Sequence, residues 1–130
     1  MTTTQLLEIL RAHLARFELP QPCSVHLTPF LSTETVSAQL ARHTPAQTNA
    51  ALLAWADTLT TVTAGAWRVP TGEDVHLSVS GHLPGGVPIR IYAGVAFTTH
   101  GIGAELTPGA STTLPLAALR KQLTPGKMTQ

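Results

Sequence analysis

The sequence predicts one α+β domain: an antiparallel sheet of about five strands, in the order α-β-β-α-β-β-β-α, with its helices packed on one face. Three observations carry that expectation. Residues 60–98 hold three successive runs of alternating side chains, separated by Pro70-Thr71-Gly72-Glu73 and by Pro84-Gly85-Gly86. Two stretches, near the N-terminus and from Thr44, combine helical spacing with a Thr-x-x-Gln capping box. The chain has 130 residues and no linker-like segment, a length at which one domain buries about two-thirds of its unfolded surface.

Taken in order, residues 3–18 read as an amphipathic helix. Leu6, Leu10, His13, Leu14 and Phe17 share one face, and Thr2 with Gln5 supplies the capping box. Pro20 and Pro22 stop it, because proline donates no N–H and disfavours helix in the residue before it. Residues 23–28 alternate as a strand, with Cys23, Val25 and Leu27 facing one way and Ser24, His26 and Thr28 the other. Residues 35–42 read as a strand that pairs with it as a hairpin, through Val36, Ala38 and Leu40. A short helix capped by Ser32 or Thr33 is the alternative.

The second helix begins at Thr44-Pro45-Ala46-Gln47, with Thr44 as N-cap, Pro45 in the first helical position and Gln47 closing the box. Its core stripe is Leu52, Trp55, Ala56 and Leu59. The threonines from 58 to 63 end it, since their branched carbons favour extended backbone. Strands follow at about 60–69, 74–83 and 87–98. In the middle one Val75, Leu77, Val79 and Leu83 oppose His76, Ser78, Ser80 and His82. In the last, Ile89, Ile91, Ala93, Val95 and Phe97 oppose Arg90 and Tyr92. Such alternation means one packed face and one comparatively polar face. Residues 99–112 read as loop and 114–123 as a short helix, with Arg120 and Lys121 complementing its dipole. Residues 124–130 read as a tail.

Composition narrows the function classes. Hydrophobic residues make up 43% and charged residues 12%, and the net charge is +1. That excludes a disordered polyelectrolyte and any strong field for nucleic acid or anionic membrane. A single cysteine, Cys23, permits no internal disulfide and no cysteine-rich zinc site. Its place in the alternation predicts a buried structural thiol. The N-terminus lacks a basic n-region, and no apolar run reaches the roughly 18 residues of a membrane span, so a cytoplasmic location is expected.

The six histidines are the main chemical resource. His76 and His82 share a strand face but lie about 20 Å apart along it, so they cannot chelate one ion together. His26 with His76 and Asp74 is the best conceivable metal set; solvent-facing imidazoles are the default, and no cofactor is expected. No Gly-x-Ser-x-Gly elbow, phosphate-cradling loop or glycosidase-type carboxylate pair is present. No catalytic residue is assigned. The strand at 60–69 places Val62, Ala64 and Ala66 opposite Thr61, Thr63, Gly65 and Trp67. Trp67 then stands on the outer face as a partner anchor, unless a bulge at Gly65 turns it inward.

The stretches Leu-Leu-Ala-Trp-Ala-Asp-Thr-Leu (52–59), Ala-Trp-Arg-Val-Pro (66–70), Val-His-Leu-Ser-Val-Ser-Gly (75–81) and Ile-Arg-Ile-Tyr (89–92) resemble a group of small uncharacterised actinobacterial proteins, some of them of mobile-element type. The resemblance covers the central third of the chain. It implies an accessory cytoplasmic protein and carries no catalytic residue.

The leading expectation is a non-enzymatic interaction module, acting as a homodimer or on a protein partner through Trp67, Arg90 and Tyr92. The alternative is a small-ligand-binding or isomerase- or cyclase-like domain with a pocket lined by His26, His76 or His82, aided by Tyr92. A weaker alternative is accessory nucleic-acid binding by the polar sheet face, which aromatics at only 5% of the chain disfavour.

Overall fold

The computed structural model describes residues 1–29 and 35–121. Helix α1 (Thr3–Arg16) opens on the capping box: the Thr2 hydroxyl accepts from the Gln5 N–H, and the Gln5 side chain accepts from the Thr2 N–H. Strands β1 (Ser24–Leu27) and β2 (Val36–Gln39) form an antiparallel hairpin, so residues 35–42 carry the expected strand. The Ser32 and Thr33 caps of the helical alternative lie outside the described residues.

Helix α2 (Pro45–Ala56) has the same capping device at Thr44 and Gln47. Strands β3 (Thr60–Arg68), β4 (Asp74–Leu83) and β5 (Val87–Ala96) form an antiparallel meander. Strand β6 (Ser111–Leu114) and helix α3 (Leu116–Lys121) follow. The expected tail, 124–130, lies outside the described residues.

The sheet corrects the sequence reading in two respects. It has six strands in the order β1-β2-β5-β4-β3-β6, and it is mixed, because β2 runs parallel to β5. The additional strand is Ser-Thr-Thr-Leu, pairing Thr113 with Gly65 and Ser111 with Trp67 inside the segment expected to be mostly loop. Four residues without a large apolar side chain until Leu114 give no alternation to read. Threonine's branched carbon nonetheless suits a strand once an edge is offered.

One face of the sheet carries the core. Val36, Ala38, Ala64, Ala66, Val75, Leu77, Val79, Ile89, Ile91 and Ala93 join Leu6 and Leu10 of α1, Leu52 and Trp55 of α2, and Leu119 of α3 in one buried cluster. The Trp55 indole N–H donates to the Pro20 carbonyl at 3.0 Å, which satisfies its one polar atom inside that core. Among the described residues the opposite face carries no helix, and it stays half-exposed along the central strands.

Arg68 fastens the end of the meander. Its Nε donates to the Gly72 carbonyl at 3.0 Å and its Nη1 to the Leu106 carbonyl at 2.9 Å. Its guanidinium lies 3.5 Å from the centre of the Phe97 ring. The loop after β5 is thereby pinned to the β3–β4 turn by a planar cation that hydrogen-bonds and stacks together.

Candidate interaction face

The helix-free face is set by period-two alternation. Every second residue of β3, β4 and β5 that does not enter the core points to it. The register aligns Trp67 with His76 and His76 with Gly94, and the next row joins Gln39, Tyr92, Ser78 and Gly65. A ridge of rings results. Trp67 meets His76 edge-on at 5.3 Å, and His76 lies against Tyr92 at 5.9 Å with a 24° tilt. The Arg90 guanidinium lies 4.6 Å from the centre of the Tyr92 ring, and the Tyr92 hydroxyl donates to Gln39 Oε1 at 3.4 Å.

An ion pair completes the ridge. Arg42 Nη2 donates to Asp74 Oδ1 at 2.6 Å. That bond holds the Asp74 carboxyl below its ordinary range. Gly94 leaves room there: a Cβ on it would stand 3.4 Å from Arg42 Nη1 and 3.6 Å from the His76 ring. Burial, then the Arg90 cation, lower the His76 pKa from its ordinary value. Ser37, Ser78, Ser80, Thr63 and Gly65 on the same face are small and uncharged.

The sequence-predicted residues separate into two groups. Trp67, Arg90, Tyr92 and His76 are brought together on one face. The alternative in which a bulge at Gly65 turns Trp67 inward does not occur: Gly65 pairs regularly with Ser78 and Thr113, and the irregularity falls between Thr60 and Thr63, where Thr61 takes φ +55°. His26 and His82 stand apart. His26 is exposed on the edge strand β1, opposite Ser37, three strands and four residues along from His76, or about 20 Å. It cannot join His76 and Asp74 around one ion. Asp74 is already bonded to Arg42, and no metal-holding group of three or more His, Cys, Asp or Glu occurs among the described residues. His82 borders an open cavity of about 270 Å³ with Thr63, Ser80 and Pro88, the only histidine there.

Cys23 corrects the expected buried thiol, since it is exposed. It precedes β1, and its N–H donates to the Gln39 carbonyl at the outer edge of the sheet. Ser24, Val25 and His26 beside it are also exposed, so alternation along this edge strand does not translate into burial.

Two partners of the site, and one buried residue on the other side of the sheet, were not singled out from sequence. Arg42 and Gln39 carried no signal, because their roles depend on the register between β2 and β5. Asn49 did carry one. It sits at i with Leu52, Leu53 and Ala56 at i+3, i+4 and i+7, a polar residue in a core stripe.

No helix among the described residues is long and apolar enough to cross a membrane. No protein-family model matches the chain, and no curated protein or solved structure matches it.

Proposed function

We propose that the chain is a non-enzymatic interaction module of the cytoplasm that docks through its helix-free sheet face, and that the occupant is a second copy of the chain. The observation that carries this reading is the ridge of Trp67, His76 and Tyr92 on a face that no helix covers among the described residues. Interfaces favour tryptophan, tyrosine and arginine as anchors and disfavour charge at their centre. Apart from the Arg42–Asp74 pair, Arg90 is the one charge that the paired strands β2 to β5 present there.

Size supports a copy of the same face as occupant. Six strands at about 4.8 Å spacing and about 23 Å mean length give roughly 650 Å², before side-chain relief. A standard interface takes roughly 800 Å² from each partner. Two such faces packed about 10 Å apart make a sheet sandwich, and a two-fold axis lets one patch complement itself.

A pocket enzyme is less well supported, since the cavity at His82 is wide and contains one histidine. Nucleic acid is disfavoured by the net charge of +1.

Sedimentation equilibrium tests the reading. A dimer with a dissociation constant below about 10 µM is expected, and Trp67→Ala is expected to weaken it at least tenfold with the circular dichroism spectrum retained. A monomer at 100 µM or so, or a dimer indifferent to Trp67→Ala, overturns it.

A further inference from the structure

On the other side of the sheet, α2 presents a polar group that the fold does not use. Asn49 is 1% exposed, and neither its carboxamide oxygen nor its nitrogen has a hydrogen-bond partner among the described residues. Leaving such a group unpaired in the interior is destabilising, a cost that a purely structural position would avoid with leucine. Asn49 lines a cavity of about 30 Å³ with Pro45, Leu77, Val95, Gly101 and Ile102. The cavity is roofed by the loop that Arg68 and Phe97 fasten, and Gly103 at φ +85° lets that loop close against Val75.

We propose that this cavity is a binding site for a small uncharged carboxamide, held by a paired hydrogen bond to Asn49. The chemistry of the lining selects the class. A primary carboxamide offers one acceptor and one donor side by side, and so does the ligand's amide, so two antiparallel bonds satisfy both of Asn49's buried atoms. No charged residue lines the cavity, so an ionic ligand would enter without a counter-charge at a cost that one amide cannot offset. The volume is about two to three times what one water needs. It therefore admits the head of an amide and little more, with the apolar wall of Leu77, Val95 and Ile102 against its methyl or methylene end. The site is separate from the ridge of Trp67 and stands whether or not that face dimerises.

Acetamide is the probe, with acetate as its charged isostere, titrated into the uniformly ¹⁵N-labelled full chain and followed by amide chemical shifts. Four non-hydrogen atoms bound the dissociation constant to no tighter than about 40 µM, so titration runs to about 100 mM. Saturable shifts confined to residues around Leu77, Ala96, Gly101 and Ile102 are expected with acetamide and absent with acetate. Asn49→Leu is expected to weaken binding at least tenfold with the remaining spectrum unchanged. Should that variant not fold, Ile102→Trp fills the cavity from the loop side and is expected to abolish the same shifts. Non-saturable or scattered shifts, an equal response to acetate, or binding that survives the folded variant overturns the proposal.

Discussion

The imidazole of His13 lies against the indole of Trp55, ring centres 6.0 Å apart and tilted by 28°, and one hydroxyl joins the two residues. Thr58 Oγ1 donates its single proton to the Trp55 carbonyl at 2.8 Å. It can therefore only accept from His13 Nε2, also at 2.8 Å, which fixes the imidazole proton on Nε2. Nδ1 is left bare and buried, without a partner among the described residues. Protonation there would create a charge at a residue only 3% exposed, beside the Arg16 cation.

Stability accordingly falls on mild acidification. Burial, then Arg16, lower the His13 pKa below its ordinary value, and His76 shifts the same way through burial and Arg90. The unfolded chain then binds more protons than the folded one as pH drops below about 6.5. That stability is present above about pH 6.5 and is lost as pH falls from there through the lowered folded-state values. Urea denaturation at several pH values between 7.5 and 5 measures the slope. His13→Gln is expected to reduce it, and an unchanged slope refutes His13 as the source.

Gly81→Ala is expected to destabilise the chain by about 2 kcal/mol. A Cβ there would stand 2.9 Å from the Thr60 carbonyl oxygen and 3.0 Å from Leu59 Cβ, where β3 begins beside its irregular register. Neither atom is the free end of a flexible side chain, so the backbone must move. A lowered urea midpoint with an unchanged m value is the expected reading; a midpoint equal to the parent's contradicts the close approach.

Arg68→Lys is expected to loosen residues 97–110 while leaving the central strands protected. Lysine cannot reach two carbonyls with a planar fork and stack on Phe97 at the same time. Hydrogen exchange at Leu106 and Gly109 should accelerate at least tenfold, with β4 and β5 unaffected. Equal acceleration in β4 and β5 would mean global destabilisation instead of release of the loop.

The parts of this fold that were legible in sequence are those set by local chemistry. The meander is written in its alternation and its Pro/Gly turns, and both long helices in Thr-x-x-Gln boxes that form as read. The parallel pairing of β2 with β5 was not legible, because the register of two strands distant in the chain depends on what α2 and the meander leave uncovered. Cys23 and Trp67 show the same limit from opposite sides. Alternation assigned each a face, but burial depends on how far a neighbouring layer covers that face, and Ser24, Val25 and His26 of β1 stay exposed. Within the candidate face, Trp67, His76, Arg90 and Tyr92 followed from alternation, whereas Arg42 and Gln39 needed the three-dimensional register.

The parallel seam between β2 and β5 also orders the assembly of the chain in time. The meander closes through two tight turns, while Val36 meets Ile89 across 53 positions of chain. Loop-closure entropy makes the longer closure slower unless the intervening segment has already condensed. Contact separation alone thus places the β1–β2 hairpin on the sheet after the meander has closed. Until it docks, the backbone of β5 is an open edge, where a hairpin from a neighbouring molecule fits as well as the chain's own.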